Sequence, residues 1–109
     1  MVKEILTLAG FVENKTFRHS HFKTPPKTSY VTYLDSCTRR GSDDRNLITE
    51  HTATLELYAY KPDHDSERRI ESSLDSFALQ YEKQDCYFIQ SEQLYQTVYT
   101  LEFTEKIGG

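Results

Sequence analysis

The chain has 109 residues, of which 13 are Lys or Arg and 17 are Asp or Glu, for a formal net charge of −4. With 37% apolar and 13% aromatic residues but only 4 Gly and 3 Pro, it is neither a disordered chain, nor a linker, nor a fibrous repeat. This length predicts a single domain over residues 1–109 with one core. Its expected radius of gyration is near ~13 Å, with no room for separate cofactor and substrate domains.

The acidic balance argues against nucleic acid. The close basic pairs are Arg39-Arg40 and Arg68-Arg69; Asp43 and Asp44 follow the first, and Glu67 precedes the second. Sequence-specific nucleic-acid binding is therefore not expected. The apolar stretch from Ile5 to Val12 is broken by Thr7 and Gly10 and falls far short of the ~20 residues of a membrane span. Glu4 and the lack of a small-residue cleavage site also speak against a signal peptide. The expectation is a cytoplasmic protein with no membrane partner. In that compartment Cys37 and Cys86 read as reduced thiols on half-buried strands.

Along the chain, Ile5, Leu6, Ala9 and Val12 recur at helical spacing and predict a short helix from Val2 to Phe11, stopped at Gly10 or Asn14. Thr16 to Phe22 alternates as a strand of minor length, and Pro25-Pro26 ends it. The β-branched and aromatic run from Thr28 to Thr38 is a strand. A polar loop, Arg39 to Asn46, joins it to a second strand, Ile48 to Lys61. There Ala53, Leu55, Leu57 and Ala59 alternate with Thr52, Thr54, Glu56, Tyr58 and Tyr60. Asp63 or Asp65 caps an amphipathic helix from Ser66 to Leu79, with Ile70, Leu74 and Phe77 on its apolar stripe. Asp85 to Gln90 and Leu94 to Glu105 complete the pattern as a second hairpin.

The expected fold is α+β, an antiparallel four-stranded sheet of two hairpins with two helices on one face, in the order α-β-β-α-β-β. Leu55, Leu57, Ile70, Leu74 and Phe77 should form the core. The other sheet face should carry Thr54, Glu56, Tyr58 and Tyr60, joined by Tyr95 and Tyr99. A face rich in Tyr and Thr and poor in Lys suits burial by a partner.

Catalytic chemistry finds little footing. His19-x-His21 on a strand would put two imidazoles on one face, with His51 and a carboxylate from Asp43 or Asp44 completing a metal set. That set would define a small metal-dependent hydrolase, but no spacing ties its members together. There is no nucleophile elbow and no phosphate-binding glycine loop, and neither cysteine lies in a catalytic context. Asp43-Asp44 stands among Arg39, Arg40 and Arg45, which reads as a self-neutralising loop tip. No enzyme activity, metal or other cofactor is expected.

Several fragments share an order with one protein family. They are Pro25-Pro26 with Ser29-Tyr30-Val31-Thr32-Tyr33, Asn46-Leu47-Ile48 with His51, and Thr54-Leu55-Glu56-Leu57-Tyr58. Glu67, Ile70, Glu71 and Leu74 follow on the helix, then Glu92-x-Leu94-Tyr95-Gln96 with Tyr99. In this the chain resembles the tail-completion, or tail-terminator, proteins of long-tailed bacteriophages and prophages. The resemblance implies a structural virion protein made in the host cytoplasm and carried into the tail or neck. Its partners would be its own copies in a ring, commonly a hexamer, together with the tail tube protein and the head connector. The implied contact residues are Tyr58, Tyr60, Tyr95 and Tyr99 and, in the loop, Arg39, Arg40, Asp43 and Asp44.

Overall fold

A computed structural model describes residues 1–40 and 47–107; the side chains of residues 39, 40, 47, 106 and 107 lie outside that description. Two helices and six strands follow one another among the described residues: α1 (Val2–Leu8), β1 (Phe17–His19), β2 (Tyr30–Arg40), β3 (Leu47–Ala59), α2 (His64–Ser76), β4 (Tyr81–Lys83), β5 (Tyr87–Ile89) and β6 (Leu94–Ile107). The strands form one mixed sheet in the order β1-β2-β3-β6-β4, and β5 also pairs with β6.

The expected four-stranded antiparallel sheet is thus corrected to six strands with one parallel pair. β1 runs parallel to β2, Phe17 opposite Val31 and His19 opposite Tyr33. Loop 20–29 returns the chain without an intervening helix, and Val31 N donates to Thr16 O at one end of the pair. β4 is the strand that alternation missed. Its three residues are too few to show a period, and tertiary contacts hold it: Tyr81 packs edge-on against Tyr99 and Lys83 pairs with α2. The expected strand over 85–90 shortens to Tyr87–Ile89.

Both helices end in the same hydrogen-bonding motif. At α1, Gly10 N donates to Thr7 O and Phe11 N to Leu6 O, with Gly10 at φ +97°. At α2, Ala78 N donates to Asp75 O and Leu79 N to Leu74 O, with Ala78 at φ +55°. The second helix therefore stops at Ser76, short of the expected Leu79. At its other end the Asp63 carboxylate accepts from Ser66 N at 3.0 Å and from the Ser29 hydroxyl at 2.6 Å. Burial alone would raise that carboxyl's pKa, but these hydrogen bonds and the Arg69 charge hold it below the ordinary value.

The core lies between the helices and one sheet face. Val31, Leu55, Leu57, Tyr99 and Leu101 from the sheet meet Ile5, Leu6, Ile70 and Leu74, all at most 2% exposed. Phe77 packs only partly against this cluster, and Val12, expected on the apolar stripe of α1, lies beyond that helix and is exposed. The helices are stitched together by Ser73 Oγ donating to Ile5 O at 2.6 Å and Arg69 Nη1 donating to Ala9 O at 3.0 Å. Among the described residues no helix is long and apolar enough to cross a membrane.

The extents are 49 × 27 × 23 Å, with a radius of gyration of 15.3 Å rather than the expected ~13 Å. β2, β3 and β6 account for the excess. They run in unbroken register past the end of the helical layer as a three-stranded arm, as far as Arg40, Leu47 and Ile107.

Candidate assembly surface

The candidate contact residues divide among three places. Tyr58 lies on the sheet face turned from the helices, opposite Tyr30, and the two rings stack with centroids 5.2 Å apart. Its hydroxyl donates to Glu56 Oε2 at 3.2 Å, and the Gln96 amide donates both to Tyr58 Oη at 3.0 Å and to Glu56 Oε2 at 3.1 Å. Burial first, then the Glu56 charge, pushes the Tyr58 phenol up from its ordinary range. Burial, with smaller contributions from Tyr58, Tyr60 and Glu92, pushes Tyr30 up to about 12. These rings floor a cleft of about 440 Å³, walled by Ser20 and Phe22 on one side and Glu92 and Leu94 on the other. Tyr60 stands just past β3, 49% exposed, and its hydroxyl donates to Pro26 O.

Tyr95 and Tyr99 do not join that face. Their register partners are Ala59 and Leu55, so both side chains are on the helix-covered side. Tyr99 is fully buried, its hydroxyl donating to Glu71 Oε2 at 2.8 Å. Burial and then that carboxylate drive its pKa far above the ordinary phenol value. Tyr95 packs its ring on Phe88 at 5.0 Å. The reason is the alternation of β6: Tyr99 shares its side with Leu101 and Phe103, which the core claims. Tyr99 thereby joins a cluster that sequence patterning does not reveal. Lys83 Nζ lies 2.7 Å from Glu67 and 2.8 Å from Glu71, tying the β4 edge to α2.

Arg39 and Arg40 end β2 at the tip of the arm; Asp43 and Asp44 lie outside the described residues. On the arm every described side chain of β2 from Leu34 to Thr38 is exposed, as are Glu102, Thr104 and Glu105 of β6. The arm's own fastening is an imidazole. His51 Nδ1 lies 2.9 Å from Asp35 Oδ1 and Nε2 lies 3.2 Å from Glu105 Oε1, while the ring stacks on Phe103 at 4.6 Å and 5°. One residue of β3 thus links β2 and β6, and with both nitrogens protonated it donates to both carboxylates.

The three histidines of the metal set do not converge. His19 packs against Tyr33, at the level of Leu55 on β3, four residues along that strand from His51. Strand spacing and rise put the two ~16 Å apart. His21 follows β1 in the exposed loop beside Ser20. Among the described residues no group of three or more His, Cys, Asp or Glu could hold a metal ion. Cys37 and Cys86 are free; both are exposed rather than half-buried, and Cys86 falls between β4 and β5. No protein-family model matches the chain, and no curated protein matches it.

Proposed function

We propose that this chain is a structural assembly subunit, a ring-forming protein that caps a bacteriophage or prophage tail tube and joins it to the head connector. The observation that carries the reading is the arm: three strands projecting beyond the helical layer, with the described side chains of β2 from Leu34 to Thr38, and Glu102, Thr104 and Glu105 of β6, exposed. Apart from Phe103, the arm's described residues add little to the core, so its use lies in what it touches. The resemblance in the strand and helix fragments supplies the setting, and the exposed Tyr60 beside the tyrosine-floored cleft supplies a further contact face.

Deleting the coding sequence from the phage or prophage that carries it tests the role. Electron microscopy of the lysate should show filled heads and separate tails, with joining restored by the gene in trans. Joined particles at normal yield would overturn the proposal.

A further inference from the structure

Resting on that ring-subunit reading, we infer that neighbouring copies join through the edges of the arm, β2 of one copy lying parallel to β6 of the next. In the lower sheet both edges are closed. β1 covers β2 at residues 31–33, and β5 and β4 cover β6 at residues 94–96 and 99–101. Among the described residues no strand pairs with the outer edge of β2 beyond Tyr33 or with that of β6 beyond Leu101.

The two free edges match in level. Ser36 is opposite Thr52 and Thr52 opposite Glu102; Thr38, Glu50 and Thr104 form the next such row but one, and Arg40, Ile48 and Lys106 close the series. Neither edge has a proline in residues 34–40 or 102–107, and neither ladder has a bulge. Proline and bulges are two devices by which proteins blunt an exposed edge.

Polarity then fixes the geometry. β2 and β6 are both antiparallel to β3, hence parallel to each other. Rotation about an axis along the arm therefore carries the β6 edge of one copy to the β2 edge of the next with the same strand direction. The edges differ in sequence, so the contact is heterologous and repeats around a ring. Below the arm β1 and β4 occupy these edges, so the two copies diverge there and the contact is confined to the arm. The occupant of each edge is a second copy of this chain.

Disulfide trapping tests this in the full chain with Cys37→Ser and Cys86→Ser as background. Within one copy Thr38 and Thr104 are two strands apart, ~10 Å, and bridging requires Cα atoms closer than about 7 Å. An intramolecular bridge is therefore excluded. Oxidising concentrated Thr38→Cys/Thr104→Cys protein should give a covalent ladder of dimers, trimers and larger species. Thr38→Cys/Glu102→Cys covers a register shifted by one side-chain step, and each single variant should remain monomeric under oxidation.

Native mass spectrometry of the background protein, run in parallel, separates the outcomes. Oligomers without bridges in either double variant would overturn edge pairing while leaving the ring-subunit reading intact. A dimer from one single variant would mean like-to-like edges and would also overturn it. Neither oligomer nor bridge at any concentration overturns it too; the deletion phenotype independently decides the ring-subunit reading.

Discussion

The base of the sheet and the arm above it are built from the same three strands in one continuous register, yet they are held by different forces. On the covered side of β2, Val31 and Tyr33 in the base give way to Asp35 and Cys37 in the arm. The first pair is buried against the helical layer, whereas the second is exposed. Apolar burial of the order of 1.5–3 kcal/mol per side chain holds the base. The arm has its hydrogen-bonded ladders, the Phe103–His51 stack and two carboxylate–imidazole contacts. Backbone pairing can extend a sheet beyond its core, but tertiary stability does not extend with it.

The comparison breaks most visibly in the base. Leu74 is fully buried in the core cluster, and Leu74→Ala should cost about 2–5 kcal/mol by denaturant titration. A loss below about half a kcal/mol would mean the helical layer does not carry the base.

Next in size is the Lys83 cluster. Burial alone would raise the pKa of Glu71, but hydrogen bonds from Lys83 and Tyr99 and the Lys83 charge hold it below its ordinary 4.5. Its contribution is therefore present above the unfolded value and lost as pH falls through the lowered folded one. Lys83 is raised above 10.5, chiefly by hydrogen bonds to Glu67 and Glu71, so its contribution is lost only as pH rises through the folded value. Lys83→Met should cost about 1–3 kcal/mol near neutrality, less than breaking a fully buried pair, because Lys83 is partly exposed. It should also flatten both the acid and the alkaline limbs of the stability profile. A profile unchanged in shape would show that the cluster is not what ties β4 to α2.

The two helix ends sharpen the picture within the base. Gly10 and Ala78 occupy the same left-handed position of the same motif, but only one is glycine. Ala78→Gly should stabilise by about 0.5–1 kcal/mol, the relief of side-chain strain less the entropy glycine adds to the unfolded chain. Gly10→Ala should destabilise, since the new Cβ would meet Arg69 Nη1 at 2.7 Å. Thermal melts of the two variants should move in opposite directions.

Much of the base was legible in the sequence for a physical reason. Leu55, Leu57, Ile70 and Leu74 repeat with the period of their element, and a buried face leaves that trace. The Asp63 cap was legible because carboxylates accept from the first turn. Of the three-residue strands, β1 and β5 lie inside the expected runs 16–22 and 85–90, whereas β4 leaves no such trace and exists through its pairing with β6. The tyrosines were harder. Residue type alone grouped Tyr99 with Tyr58, although Tyr99 alternates in phase with Leu101 and Phe103, and its buried hydroxyl is satisfied by Glu71 from another element. The arm was visible only as strand length; where the helical layer ends along it is a property of helix placement.

The smallest expected change in overall stability belongs to the arm. His51 touches β2 and β6 together there, through Asp35 and Glu105. The two carboxylates are partly exposed, 30% and 52% of their side chains, and ion contacts of that kind contribute little to global stability. His51→Ala should therefore shift the unfolding free energy by less than about 0.5 kcal/mol. Locally the outcome differs. Amide exchange at residues 48–52 and 102–106 should accelerate roughly tenfold, equivalent to about 1.4 kcal/mol of opening free energy, while residues 55–57 and 70–74 keep their protection. The two readouts diverge only if the arm opens without unfolding the base. Uniform acceleration at both places, with a global loss as large as that of Leu74→Ala, would show that arm and base unfold as one unit.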